Sequence, residues 1–215
     1  MILDTVPPFS SIDADKALTL SSKDGPLEYL KLAVYVLSNN VDPYETGQDI
    51  GETIVRLSHT PQNRRLLEWM VKRDDFTSKA FAEKLLPSAV RLHETTLVKF
   101  LLGTGMDANI PFTGLNDRLL WVATESMIET DRINLFTVLI EAGADVNISR
   151  PHPYKESLLM YSVRIRQLAL TRLLLHRGAK MDFHTTDGKS VLHAAAASGD
   201  MEGICLLYTS PSPRD

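Results

Sequence analysis

Histidine is the residue type here whose chemistry would be easiest to use, because neutral imidazole is the commonest protein ligand for metals. The chain has six histidines. A catalytic zinc motif of the His-Glu-x-x-His type places two of them four residues apart on one helix face, with a glutamate between them. No two histidines of this chain have that arrangement. We therefore expect no metal site.

The other reactive side chains are equally isolated. Cys205 is the only cysteine, which excludes an intrachain disulfide and a cysteine-based zinc site. Ser190 follows Lys189, but the sequence specifies no base for it, and a hydroxyl at this place can cap a helix. Gly103 and Gly105 are too sparse to cradle a phosphate. The sequence thus predicts a protein with no catalysis of its own and no cofactor.

Charge and hydropathy limit the partners that can be expected. The 23 basic and 27 acidic residues give a net charge of -4 and form no long run of one sign, so we expect no nucleic-acid partner. No segment approaches the roughly 18 consecutive apolar residues that span a membrane. Residues 1–20 lack the basic flank and apolar core of a signal peptide. We expect an intracellular protein, cytoplasmic or nuclear.

The N-terminal part of the chain, 1–79, divides into a lead-in and a helical segment. Residues 1–26 contain three prolines, several serines and little apolar periodicity, which is typical of loosely ordered chain. Residues 27–79 contain apolar residues at spacings of three and four, separated by turn residues. These predict short helices around Leu27 to Leu37, Ile50 to Leu57 and Leu66 to Val71.

From residue 80 onward the sequence repeats itself. Leucines that would open successive helices recur at a nearly regular interval, and each of the first three is followed by a loop glycine. The leucine-to-glycine interval is equal in the first and third copies, whereas the middle copy has four extra residues between its helices. We expect the leucines in the core. They are Leu86, Leu120, Leu159 and Leu192, and the glycines are Gly105, Gly143 and Gly178.

A mostly apolar stripe precedes each glycine by eight, seven, four and three positions, as on one face of a helix. Its members include Leu97, Leu101, Leu135, Leu139, Leu170 and Leu174, all of which we expect in the core. The register predicts consecutive pairs of helices over about 82–92 with 95–103, 119–127 with 132–141, and 158–165 with 168–176.

Related phrases follow the glycines: Gly-Met-Asp-Ala-Asn from Gly105, Gly-Ala-Asp-Val-Asn from Gly143 and Gly-Ala-Lys-Met-Asp from Gly178. Two helices, a loop and a projecting hairpin at a period near 33 resemble the ankyrin repeat. The copy from Asp187 to Gly199 is most similar to the family pattern, whereas Pro87 stands in the histidine place of the first copy. The resemblance covers residues 80–204 and implies an all-α, ankyrin-like repeat solenoid of about four repeats behind a small helical segment.

The resemblance carries further expectations. It implies that His193 is a structural histidine whose ring nitrogens tie neighbouring hairpins together. The divergent repeats also resemble those of fungal multi-repeat ankyrin proteins. Residues 205–215 resemble one reading frame of a transposon-type sequencing adapter, and Pro211 stands where the fourth loop glycine is expected. We therefore expect the last repeat to be truncated and its open end to fray.

Partner contacts are expected at two places in such an array. Two of the hairpins, which we call fingers, run from Asn109 to Arg118 and from Asn147 to Ser157, and both are longer than the Asp182 to Ser190 interval. Their additions bring proline with an aromatic ring or a histidine; the alternative is a loop length that has drifted. The first helices line the concave side, where aromatic and arginine residues are the usual anchors, although Trp121 could instead fill space between repeats. The candidate partner-binding residues are Phe112, Trp121, Glu125, His152, Tyr154, Tyr161 and Arg164.

These observations favour a protein-interaction module, which we expect to be a monomer that binds an unknown protein partner. One alternative is a regulatory arm of an enzyme or signalling protein whose catalytic domain lies in missing C-terminal sequence. A second alternative, an independent functional domain over residues 27–75, is weaker because that segment contains no reactive constellation.

Overall fold

The computed structural model describes residues 50–59, 61–71, 85–110, 118–125, 128–150 and 155–209. Backbone contacts divide the chain into two compact units, residues 1–94 and 95–215, which are described separately. The described residues are helical, with two isolated antiparallel bridges and no strand. The predicted all-α class is therefore confirmed for this part of the chain, whereas the lead-in and the predicted helix from Leu27 to Leu37 lie outside it.

The first unit contains helices α1, Ile50–Leu57, and α2, Pro61–Val71, and residues 85–91 form a helix that we call α3. Ile54, Leu67 and Leu86 are fully buried. The helices predicted at Ile50 to Leu57 and Leu66 to Val71 are confirmed, and α2 begins earlier because Pro61 suits the first turn of a helix.

The described part of the second unit contains one helix followed by three consecutive helix pairs. These helices pack as two layers: α4, α6, α8 and α10 contact one another in that order, and α9 packs on α7. Within the predicted pairs, α5 packs on α6 and α7 on α8. The helices are α4 (Thr95–Gly103), α5 (Leu119–Val122), α6 (Glu129–Glu141), α7 (Leu158–Arg164), α8 (Leu168–His176), α9 (Val191–Ser198) and α10 (Met201–Thr209).

The end of α6 shows how these helices stop. The N–H of Gly143 donates to the carbonyl of Ile140, and the N–H of Ala144 donates to that of Leu139, both at 3.0 Å. This pair of bonds is a Schellman motif, which requires the left-handed conformation that Gly143 adopts at φ 92°. The loop glycines found by their spacing are therefore helix-terminating residues.

The same motif ends α7 without a glycine. Arg166 has φ 57° and donates its N–H to the carbonyl of Val163, while the N–H of Gln167 donates to that of Ser162. An L-residue in this conformation is strained by its Cβ. Gly199 has the equivalent place at the end of α9, with φ 66°. Of the two residues, only Gly199 could be identified from the sequence as a helix terminator.

The four extra residues lie between α5 and α6, as predicted, but the helix expected over 119–127 is shorter. The α-helix ends at Val122 and continues as one 3-10 turn over Ala123–Glu125. The hydroxyl of Thr124 donates to the carbonyl of Trp121 at 2.6 Å, which stabilises this tighter ending. Some of the four extra residues belong to α6, which begins at Glu129 and not near 132 as expected.

The leucines named from the stripe and from the helix openings form the core, with one exception among the opening leucines. Leu135, Leu139, Leu170 and Leu174 are fully buried. Leu192 is 40% exposed, although its counterparts at the start of α3, α5 and α7 are buried. The expectation that Leu192 is buried was wrong, because the described helices that pack on α9 leave this side chain uncovered.

Asparagine side chains link successive loops. The carboxamide of Asn109 accepts from the N–H of Asp145 at 2.8 Å and donates to the carbonyl of Gly143 at 3.0 Å. Asn147 makes the same two bonds to the next loop. The closing phrase found in the sequence therefore supplies a polar connection between neighbouring helix pairs.

Candidate interaction surface

An aromatic pair joins the first helices of two neighbouring pairs. Trp121 lies on α5 and Tyr161 on α7, with ring centroids 5.6 Å apart and planes at 77°. This edge-to-face arrangement matches the quadrupoles of two rings. The Tyr161 hydroxyl donates to the carbonyl of Thr124 at 3.4 Å. The structure therefore brings two of the predicted partner-binding residues into contact.

Arg150 completes the aromatic pair from the neighbouring finger. Its guanidinium carbon lies 4.7 Å from the centroid of the Trp121 ring and 5.8 Å from that of Tyr161. Both distances are within cation–π range. The backbone N–H of Arg150 donates to the carbonyl of Glu156 at 2.9 Å, and an antiparallel bridge pairs Ser149 with Ser157. These bonds at the base of the finger thus fix the backbone position of Arg150.

Arg164 forms the second cationic side of the surface. Its guanidinium donates twice to the carboxylate of Glu156, at 2.7 and 3.0 Å, and lies 5.3 Å from the Tyr161 centroid. The bond to Glu156 holds the pKa of Arg164 above its ordinary value, although partial burial opposes the shift. We call Trp121, Arg150, Glu156, Tyr161 and Arg164 the aromatic–arginine cluster.

The members of the aromatic–arginine cluster differ in exposure. Trp121 is only 2% exposed, and its indole N–H is buried without a hydrogen-bond partner among the described residues. Arg150 and Arg164 are exposed, and Tyr161 is half-buried. The two guanidinium groups and part of the tyrosine ring are therefore accessible, whereas the Trp121 ring that Arg150 and Tyr161 contact is buried.

The remaining predicted site residues are distributed as follows. Glu125 is exposed at the end of the 3-10 turn, directly after the Thr124 carbonyl that Tyr161 contacts. Phe112, His152 and Tyr154 lie outside the described residues. The structure thus unites Trp121, Tyr161 and Arg164, with Glu125 beside them in sequence.

Sequence reasoning missed two members of the aromatic–arginine cluster, Arg150 and Glu156. Arg150 is the residue before the finger prolines, and Glu156 immediately precedes Ser157, whose hydroxyl accepts from the N–H of Met160 at 3.2 Å. A signal was present, because both flank an extended finger and carry opposite charges. The signal was weak, since residue spacing in the sequence does not indicate that the Arg150 side chain contacts rings on two different helices.

His193 forms its hydrogen bond at the start of its own helix, α9. The backbone N–H of Ser190 donates to Nδ1 of His193 at 3.2 Å, and the Ser190 hydroxyl lies 2.9 Å from the same nitrogen. Ser190 is the N-cap of α9, as predicted. The contact seen at Nδ1 therefore closes a capping box within one helix, whereas a tie between neighbouring hairpins was expected.

Other kinds of site receive no support from the described ranges. Within them, no group of three or more histidine, cysteine, aspartate or glutamate side chains could hold a metal ion. None of the helices there is long and apolar enough to cross a membrane. A comparison of the sequence with protein-family models gave no match, and a comparison with curated proteins gave none.

Proposed function

We propose that this chain is a protein-interaction module, an ankyrin-like repeat solenoid that binds its partner on the side formed by the first helices and fingers. The observation that carries the proposal is the aromatic–arginine cluster. Aromatic and arginine side chains are the types most enriched at binding hot spots. Here they come from two helices and a finger and lie together on one surface.

The helix pairs support the proposal through their order. Neighbouring second helices pack side by side, and Asn109 and Asn147 connect consecutive loops. Such an arrangement places side chains from separate pairs at a regular spacing, which is how solenoids build extended binding surfaces. The surface is thus assembled from residues distant in sequence and held by a repeated scaffold.

The experiment is affinity capture with the full chain. Wild-type protein, Tyr161→Ala and Arg164→Ala would each be incubated with cell extract, and the retained proteins identified by mass spectrometry. Arg172→Ala is the matched control, because Arg172 is an exposed arginine on α8, a second helix. Circular dichroism would show that each variant retains its helices.

We expect a protein that is retained by the wild type and by Arg172→Ala but depleted with both cluster variants. Retention of the same proteins by all four chains would place binding elsewhere. Loss with Arg172→Ala alone would assign binding to the second-helix side and contradict the proposal.

A further inference from the structure

The two arginines of the aromatic–arginine cluster differ in how their charge is compensated. Arg164 is held by two hydrogen bonds to the Glu156 carboxylate. Arg150, in contrast, contacts only the Trp121 and Tyr161 rings with its guanidinium, and no carboxylate among the described residues pairs with it. A ring face attracts the cation but does not use the planar set of N–H donors that fits a carboxylate. The planar fork of N–H donors on Arg150 therefore has no carboxylate partner among the described residues.

The rings also restrict where that fork can be. A free arginine side chain loses considerable rotamer freedom when it is fixed in a complex. Contacts with two rings at 4.7 and 5.8 Å, together with the bonded backbone of the finger base, already limit the Arg150 side chain. Less entropy is then lost when an acceptor binds. The Arg150 side chain is therefore preorganised for binding an anion.

The charge of the cluster indicates which anion fits. The guanidinium groups of Arg150 and Arg164 carry two positive charges, and Glu156 carries one negative charge, which leaves one positive charge in excess. A single carboxylate neutralises that excess. A phosphate group carries nearly two negative charges and would leave the complex negative beside Glu156. The half-buried ring of Tyr161 offers an apolar contact next to the anion.

We propose that the aromatic–arginine cluster binds an acidic protein segment, with an aspartate or glutamate carboxylate paired to Arg150 and an apolar side chain packed beside it on Tyr161. This inference rests on the proposed function and adds the chemical class of the partner. It also assigns distinct roles to the two arginines: Arg150 contacts the partner, and Arg164 with Glu156 positions the Tyr161 ring.

The test uses a displayed library of random short peptides, selected on the full chain. We expect the selected peptides to share an aspartate or glutamate next to an apolar residue. In binding titrations with the tightest peptide, Arg150→Ala should weaken affinity by about 10-fold. Arg150→Glu should weaken it further, whereas Arg172→Glu, an equal charge change on α8, should have little effect.

A mutant cycle separates direct pairing from a general charge effect. Replacing the acidic peptide residue by its amide should weaken binding to the wild type by about 10-fold, yet change binding to Arg150→Ala by much less. Equal effects in both proteins would overturn the pairing with Arg150. Tighter binding of the same peptide with phosphoserine at the acidic position would overturn the carboxylate assignment.

Two outcomes distinguish this inference from the proposed function. Peptides that lose affinity with Tyr161→Ala but contain no shared acidic residue would overturn the acidic partner and leave the binding surface intact. Selection that yields only peptides insensitive to both Tyr161→Ala and Arg150→Ala would contradict the surface itself and the inference with it.

Discussion

The side-chain oxygen of Asn109 accepts a hydrogen bond from the backbone N–H of Asp145 at 2.8 Å, across 36 residues of sequence. Asn147 makes the equivalent bond to Lys180, also at 2.8 Å and across 33 residues. In both cases the loop that follows one second helix is connected to the loop that follows the next. This polar connection acts in addition to the buried leucines between the helices.

Removal of an asparagine side chain should loosen the next loop. We expect Asn147→Ala to cost about 1 kcal/mol of unfolding free energy, since water replaces part of two exposed hydrogen bonds. Asn147→Asp should cost less, because its carboxylate can still accept from Lys180. Hydrogen exchange of the Lys180 amide is the direct measurement. Unchanged protection of that amide in Asn147→Ala would show that the bond does not hold the loop.

The core register predicts a large contrast between two truncations. Leu139 is fully buried on α6, so Leu139→Ala should cost roughly 2 to 5 kcal/mol through lost burial and a cavity. Glu125 is exposed, and Glu125→Ala should change stability by no more than about 0.5 kcal/mol. Urea denaturation of the two variants gives both values. Similar midpoints would disprove the register.

Glycine should be the more stable residue at both of two helix-terminating positions, Arg166 and Gly178. Arg166→Gly should stabilise the protein by about 1 kcal/mol, because glycine relieves the strain of φ 57°. Gly178→Ala should destabilise it by a similar amount, since an alanine is strained at the φ of 82° that Gly178 adopts. An added Cβ would meet no atom within 4 Å. The cost is then conformational and not steric. Thermal unfolding should order the three proteins accordingly; a less stable Arg166→Gly protein would refute this account of the turn.

The hairpin before α9 contains a carboxyl group with a lowered pKa. Asp187 accepts hydrogen bonds from Lys189, at 2.8 Å, and from the Thr185 hydroxyl, and these lower its pKa from 3.8 to about 2. Because the folded-state pKa is below the unfolded one, this group stabilises the fold above pH 3.8. That contribution is lost as the pH falls from 3.8 to about 2.

Carboxyl carbon NMR of Asp187 during an acid titration measures this shift. We expect a midpoint near the lowered value in the wild type and a higher midpoint in Lys189→Met, which removes the larger cause. A midpoint at the ordinary aspartate value in the wild type would contradict the hairpin geometry.

Much of the fold follows from local pattern. Ser190 and Gly199 were identified as the two ends of α9 from the sequence, because capping and left-handed termination depend on a few neighbouring residues. The extent of α5 was not predictable in this way, since its 3-10 ending depends on the extra residues that follow. The exposure of Leu192 depends on whether another helix pair covers it, which periodicity alone does not specify.

The candidate site was predictable only in part. Trp121, Tyr161 and Arg164 were identified by residue type and helix register, and the structure brings them together. The alternative that Trp121 fills space between repeats was also stated from the sequence, and the structure leaves Trp121 only 2% exposed. Arg150 contacts one ring on the helix pair before its finger and another on the pair after it, so no helical spacing connects the three residues.

The central claim is that a protein partner binds the aromatic–arginine cluster. The most direct measurement is the dissociation constant of a captured partner, determined by calorimetry for the wild type, Tyr161→Ala and Arg172→Ala. We predict that Tyr161→Ala loses on the order of 2 kcal/mol of binding free energy, as for a hot-spot residue, while Arg172→Ala matches the wild type. Unchanged affinity in Tyr161→Ala, with the helices intact by circular dichroism, would contradict the account.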